Sequence, residues 1–308
     1  MQSIRRIVVV IEPSAETDKV ANLALPRACL IARAIGASLH LLVCDRKLDH
    51  SELLTDLRHV LEAKDIKVTT EQDWHETTHQ TIVKAQQALG ADLVIKQHFP
   101  DSTLKKALLT PADWKLLRYC PCPVLMVKTH RPWKGGAILA AVDVGNPDSE
   151  HTALHDSIIQ YGYNIAEIAE GELHVIAAHP SPMLSAAAPV YQLSSSTEGK
   201  YREQCKAFQR AFSIDDGHLH IAEGAADVLI PFTAHHLQAA VTIIGTVGRT
   251  GISGALIGNT AEVVLDSLES DVLVLKSEEI LAHLEEELAR SRSQGTLNET
   301  EARSPTTF

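Results

Sequence analysis

Ile7-Val8-Val9-Val10-Ile11-Glu12 recurs as Ile138-Leu139-Ala140-Ala141-Val142-Asp143, each a short apolar run closed by a carboxylate. Three further runs repeat in the same order. Leu39-His40-Leu41-Leu42-Val43 matches Leu173-His174-Val175-Ile176-Ala177. Ala91-Asp92-Leu93-Val94-Ile95 matches Ala240-Val241-Thr242-Ile243-Ile244, and Pro123-Val124-Leu125-Met126-Val127-Lys128 matches Asp271-Val272-Leu273-Val274-Leu275-Lys276. The displacements are 131, 134, 149 and 148 residues and change only between runs, where loops absorb insertions. One such period in 308 residues means a duplicated domain, not a solenoid.

The runs are unbroken rather than alternating, so both faces of each strand must be covered, as in a parallel sheet flanked by helices. The intervening segments have helical spacing: Leu23, Arg27, Leu30, Ile31 and Ala34 after Pro26, then Gln80 to Leu89, and Thr233 to Ala239. Strand–helix alternation in each half predicts an α/β protein of two tandem Rossmann-like domains, each an open parallel five-stranded sheet with helices on both faces. Pro132, Gly135 and Gly136 cluster between Thr129 and Gly136, which sets the expected domains at 1–131 and 132–276. The segment 277–308 falls outside the repeat as an acidic tail. Ile280, Leu281, Leu284 and Leu288 share one face of a short helix there, and beyond Arg290 the chain is polar and reads as disordered.

Hydrophobic residues at 45% and charged residues at 22% fit a globular protein. The net charge of −11 argues against a nucleic-acid backbone as partner, since neutralising phosphates needs basic surface. No apolar run reaches the ~18 residues of a membrane span. Glu12 and Pro13 end the first apolar run too early for a signal peptide, so a cytoplasmic protein is expected. Five scattered cysteines suit a reducing compartment, and Cys120-Pro-Cys122 lacks the two-residue spacing of redox and zinc motifs.

The chemistry-bearing stretch follows the third repeated run of the second half: Gly245-Thr246-Val247-Gly248-Arg249-Thr250-Gly251-Ile252-Ser253-Gly254-Ala255-Leu256-Ile257-Gly258-Asn259-Thr260-Ala261-Glu262. It lies at the carboxyl end of a strand, where open α/β sheets bind ligands. Gly245 and Gly248 present amides with no Cβ in the way. Gly258-Asn259-Thr260 opens the next helix, whose free amides and positive dipole end suit a phosphate, with the Thr260 hydroxyl and the Arg249 cation at hand. Neither the Rossmann fingerprint nor a P-loop is present, because the spacings fail and no Gly-Lys-Ser/Thr occurs.

The spacing Gly245-x2-Gly248-x9-Gly258 with a small polar pair after it, together with Asp143 closing the first run, resembles the ATP-binding loop of universal stress proteins. The resemblance covers residues 4 to 276 and is strongest to the tandem members of Gram-negative bacteria. It implies that Asp143 lies by the adenosine, that backbone at Ala177 or Ala178 meets adenine, and that Gly245, Thr246, Gly248, Arg249, Gly258, Asn259 and Thr260 hold the phosphates of ATP, with Mg²⁺ left open. Asn259 stands where the family usually has Ser or Thr. It further implies an intramolecular pseudo-dimer through the runs at Val124–Val127 and Val272–Leu275, with a homodimer left open.

The first half departs from this pattern. Lys96-Gln97-His98-Phe99-Pro100-Asp101 through Leu108-Leu109-Thr110-Pro111-Ala112 contains no glycine, and Glu12 replaces Asp143, so side chains should crowd the phosphate position and leave a scaffold. His75-Glu76-Thr77-Thr78-His79 spells HExxH, but its counterpart in the second half lacks the motif and no third ligand stands out, so a polar helix start is expected. His40 and His174 fall on matching runs and read as buried, hydrogen-bonded residues. His235 and His236 are adjacent and cannot face one ligand from a helix. No metal set and no catalytic group is assigned. Ser181 to Glu198 reads as an irregular insertion, either a mobile connection or a lid. The expected function is a nucleotide-binding stress-response protein, with at most slow hydrolysis for want of a base and a P-loop lysine. The alternatives are an apolar-ligand or partner-binding module with a relic loop and, further off, a nucleotide-hydrolysing enzyme.

Overall fold

The computed structural model describes residues 4–13, 22–98, 109–145, 149–179, 194–246 and 259–302. The first half runs β1 (Arg6–Ile11), α1 (Ala24–Ile35), β2 (Ser38–Cys44), α2 (Ser51–Glu62), β3 (Val68–Asp73), α3 (Thr78–Leu89), β4 (Leu93–Gln97), α4 (Pro111–Tyr119) and β5 (Val124–Val127). The second runs β6 (Ala137–Val142), α5 (Ser149–Ala169), β7 (Glu172–His179), α6 (Ser194–Ala211), β8 (Leu219–Glu223), α7 (Ala226–His236), β9 (Val241–Thr246), α8 (Asn259–Ser267) and β10 (Asp271–Lys276), followed by α9 (Glu278–Ala302).

All ten described strands form one sheet, in the order β3-β2-β1-β4-β5-β10-β9-β6-β7-β8. Within each half the ladders are parallel. Ile7, Val8, Val9 and Val10 are fully buried, as an unbroken apolar run between two helix layers requires. One core packs under α1 and α5 and contains Ile7, Val9, Ile138 and Ala140; the other lies under α3, α4, α7 and α8 and contains Val8, Val10, Leu139 and Val274.

The halves join where β5 and β10 pair antiparallel, with Leu125 opposite Leu273. This is the contact expected from the runs at 124–127 and 272–275. Each half thereby covers the other's edge strand, which removes an aggregation-prone edge from both. Asp271, fully buried, clamps the joint. It accepts from Arg27 Nε at 2.9 Å, Trp133 Nε1 at 2.8 Å, the Lys128 amide at 2.9 Å and the Thr129 amide at 3.0 Å. The Arg27 guanidinium also lies 5.2 Å over the Trp133 ring.

Several sequence expectations shift. Ile7 pairs with Leu93 while Ile138 pairs with Val241, so β9 follows β4 with a displacement of 148, not 149. Gln97 is thus the counterpart of Gly245, and His98 of Thr246. The expected helix at 233–239 is α7, which ends at His236 because Gln238 turns to φ +49°; Ala239 is buried ahead of β9. α9 buries Ile280 and Leu284 but continues to Ala302, so the expected break after Arg290 does not occur. Residues 194–198 begin α6, while 181–193 of the proposed insertion lie outside the described residues. Among the described residues no helix is long and apolar enough to cross a membrane.

Candidate functional site

In each half the strand order reverses beside the first strand, between β1 and β4 and between β6 and β9. The crevice at the carboxyl ends of such a pair is where open α/β sheets take ligands. The two crevices have equivalent positions and opposite contents.

In the first half the described residues of the crevice form a charged cluster. Lys96 Nζ lies 3.1 Å from Asp113 Oδ1 and 3.3 Å from Glu12 Oε1. His98 Nδ1 lies 2.9 Å from Asp113 Oδ2. Burial alone would push Lys96 down, but Asp113 and Glu12 hold its ammonium above the usual lysine value. Burial would likewise raise Asp113, yet His98 and Lys96 hold it down at about 2. Asp113 also completes a capping box with Thr110 at the start of α4, accepting from the Thr110 amide at 3.2 Å and hydroxyl at 2.9 Å. A side-chain carboxylate therefore occupies the helix N-terminus as an internal anion. Gln97 Oε1 accepts from the Leu23 amide at 2.6 Å and fills the space beside it. Residues 99–108 of the glycine-free stretch lie outside the described residues.

In the second half each counterpart is reduced. α8 begins 148 residues after α4, so Ala261 replaces Asp113 and Gly258 replaces Thr110. Asp143 replaces Glu12 and is exposed; its Oδ1 accepts from the Gly145 amide at 3.2 Å, and its own amide donates to His155 Nε2 at 3.2 Å. The pairing of β6 with β7 stops at Val142 opposite Ala177. Beyond it the Ala178 carbonyl accepts from the Tyr201 hydroxyl at 3.2 Å.

Two expected residues have other duties. A Cβ on Gly245 would come within 2.6 Å of Leu154 Cδ2 and 2.9 Å of Ile158 Cδ1, so the close packing of α5 by itself requires a glycine there. Thr246 is buried, and its hydroxyl donates to the Leu275 carbonyl at 3.3 Å, which leaves only backbone for a ligand. Asn259 and Thr260 open α8, whereas Gly248, Arg249 and Gly258 lie outside the described residues. The structure therefore brings Asp143, Ala177, Ala178, Thr246 and the start of α8 around one crevice.

The reading of the sequence missed Tyr201. It sits buried on α6 with its ring 4.9 Å from that of His179, and the Cβ position of Gly145 is 3.1 Å from its edge. Burial, with Cys205 and Asp143 nearby, pushes its phenol well up. The spacing Tyr201, Cys205, Phe208 marks an inward helix face and was the available signal. HExxH does not share a helix: His75 precedes α3, Glu76 has φ +26°, and Thr77 caps the helix by accepting from the Gln80 amide.

The profile of the universal stress protein family matches this chain twice, over residues 3–128 and 136–276. The chain belongs to the universal stress protein family. Universal stress protein E of Escherichia coli K12 is 36% identical over 213 residues, covering 67% of each chain. The universal stress protein E homolog of Haemophilus influenzae is 32% identical over 241 residues, covering 74% of this chain and 78% of its own. A crystal structure of a functionally unknown protein from Pseudomonas aeruginosa PAO1 is 58% identical, with a TM-score of 0.86 over 94% of this chain and 98% of that one. A universal stress protein from Archaeoglobus fulgidus, 18% identical with a TM-score of 0.60 over 87% of this chain and 98% of that one, shares the fold. The tandem organisation read from the repeat is thus that of this family.

Proposed function

We propose that the second half of this universal stress protein binds an adenine nucleotide, ATP, and that the chain acts in the cytoplasm as a nucleotide-responsive stress protein without a defined metabolic reaction. The observation that carries the reading is the exchange of Asp113 for Ala261. The first half places its own carboxylate on the N-terminus of α4, neutralises it with Lys96 and His98, and needs no ligand. The second half deletes that anion and both cations at the corresponding start of α8, leaving a positive helix end that favours an external anion.

In this reading Asp143, exposed at the end of β6, accepts from the ribose hydroxyls, which suit a carboxylate acceptor. Backbone at Ala177 and Ala178 meets the base, with Tyr201 fixing the orientation of the Ala178 carbonyl. The amides of Gly245 and Thr246, the loop carrying Gly248, Arg249 and Gly258, and Asn259 and Thr260 at the head of α8 hold the phosphates. A bound Mg²⁺ would offset phosphate charge. Calorimetry with ATP tests the assignment: one site per chain is expected, and two equivalent sites would overturn the closed reading of the first half.

A further inference from the structure

His40 and His174 occupy the same place in the two halves, each three residues into the second strand of its domain and displaced by 134. In the first half both ring nitrogens of His40 are satisfied. Nδ1 lies 2.8 Å from the Thr69 hydroxyl and Nε2 3.0 Å from Glu71. The ladder between β2 and β3 puts Thr70 opposite Leu41, and that between β7 and β8 puts Leu219 opposite Val175. The same register therefore places His218 where Thr69 stands and His220 where Glu71 stands. A hydroxyl and a carboxylate have been replaced by two imidazoles around a third.

The result is a dense group at the outer edge of the sheet, at the end opposite the nucleotide crevice. His174 Nδ1 is 3.2 Å from His220 Nε2. The rings of His174 and His218 have centroids 4.5 Å apart. His218 Nε2 is 3.7 Å from Glu172 Oε2, and ligand atoms of Glu172, His174 and His218 all lie within 4.8 Å of one another. Glu172 is exposed and the three histidines are half-buried, so the group is open to solvent. Burial and the neighbouring rings push His174 and His220 down, and His236 at the end of α7 adds to the effect on His220.

We propose that Glu172, His174, His218 and His220 form a site for a divalent transition-metal ion of the zinc class. Three imidazole nitrogens and one carboxylate oxygen are a set that Zn²⁺ accepts in tetrahedral geometry. With Zn–N bonds of about 2.0–2.1 Å, two ligands of a tetrahedron stand about 3.3 Å apart. The 3.2 Å between His174 Nδ1 and His220 Nε2 already meets this. Two strands and the 3₁₀ turn Asp216–His218 supply the ligands, so a bound ion would tie β8, the edge strand of the second half, to β7.

The test is competition of the tag-free, reduced full chain against a chromogenic chelator for Zn²⁺, with melting followed in parallel. One equivalent bound with micromolar or tighter affinity, and a rise in Tm on adding Zn²⁺, are expected. His218→Thr combined with His220→Gln rebuilds the hydrogen-bonding surroundings of His40; it should fold, weaken zinc at least tenfold and lose the zinc-dependent rise in Tm. His174→Gln alone gives the same reading should the double variant melt early. His75→Gln with His79→Gln should bind like the parent. A parent that binds no zinc, or a double variant or His174→Gln that binds it as tightly as the parent, overturns the proposal. ATP affinity of the zinc-site variants should equal that of the parent, which keeps this outcome separate from the nucleotide reading.

Discussion

Ala261→Asp transplants the internal anion of the first half into the second. Asp113 is the third residue of α4 and Ala261 the third of α8, so the substitution adds a carboxylate to the first turn of α8, next to Glu262, whose own charge pairs with Arg118. An Asp there complements the helix dipole by about 0.3–1 kcal/mol, so the fold should not suffer. Its effect on a bound triphosphate is the reverse. Two like charges about 4 Å apart repel by roughly 4 kcal/mol at an effective dielectric near 20. Ala261 is only half-buried, which lowers the expected figure to about 2–4 kcal/mol, or some 30- to 1000-fold in Kd. Lys96 and His98, which make Asp113 tolerable in the first half, have Ile244 and Thr246 as counterparts, so neither of these positions neutralises the new charge. Calorimetry with ATP and thermal melting of the same samples measure both sides. The isosteric Ala261→Asn adds bulk without charge and should stay within about fivefold of the parent. A folded Ala261→Asp protein with unchanged ATP affinity would refute the assignment of phosphates to the head of α8.

Asp113→Ala leaves Lys96 buried beside Glu12 alone and should cost about 3–5 kcal/mol in denaturant unfolding while leaving ATP affinity unaltered; a cost under 1 kcal/mol would dispose of the closed-cluster account. The same carboxyl sets an acid limb: its native value of about 2 lies below its ordinary 3.8, so its stabilisation is present above pH ~4 and lost as pH falls toward 2. That is worth about 2 kcal/mol, and Asp113→Ala should lack that part of the pH dependence. Asp271→Asn removes the charge facing Arg27 and turns an amide toward donors at the joint, with an expected loss of about 3–5 kcal/mol in the same unfolding assay; a loss under 1 kcal/mol would show that the β5–β10 joint does not depend on it.

Four strands of each half were legible because burial on both faces leaves an unbroken apolar run that recurs in the same order in the other half. β3 and β8 were not, since they lie at the sheet edges, where Val68-Thr69-Thr70-Glu71-Gln72-Asp73 is largely polar and His220 and Glu223 interrupt Leu219-His220-Ile221-Ala222-Glu223. The one-residue slip between β4 and β9 has the same root as the success: runs apolar on both faces carry no alternation to fix a register, and only the ladder supplies it. Gly245 shows the limit of reading glycine by type. The sequence marks an open backbone there, but α5 exceeds α1 by nine residues and its Leu154 and Ile158 take the space. Tyr201 was marked only by the inward helix face it shares with Cys205 and Phe208, and the Glu172–His218 group draws on residues distant in sequence.

The joint gives the first half a structural part to play whatever its crevice holds. Because β5 and β10 are antiparallel, the carboxyl ends of the parallel strands point opposite ways in the two halves, so the two crevices lie at opposite ends of the sheet and cannot share a ligand. What the first half supplies to the second is position. The Leu109 amide, just ahead of α4, donates to Asp266 Oδ1 at 2.9 Å, and Arg118 near its end pairs with Glu262 of α8 at 3.0 Å. α8 is therefore held from the far side by α4 and from beneath by β10, whose outer edge β5 covers. Half-exposed contacts such as Arg118–Glu262 contribute little each to stability. Their effect is on geometry, because a helix start must be held still for its amides to converge on one anion. In the first half that anion is Asp113, built into the chain, and the resulting rigid α4 is the surface against which the open start of α8 is set.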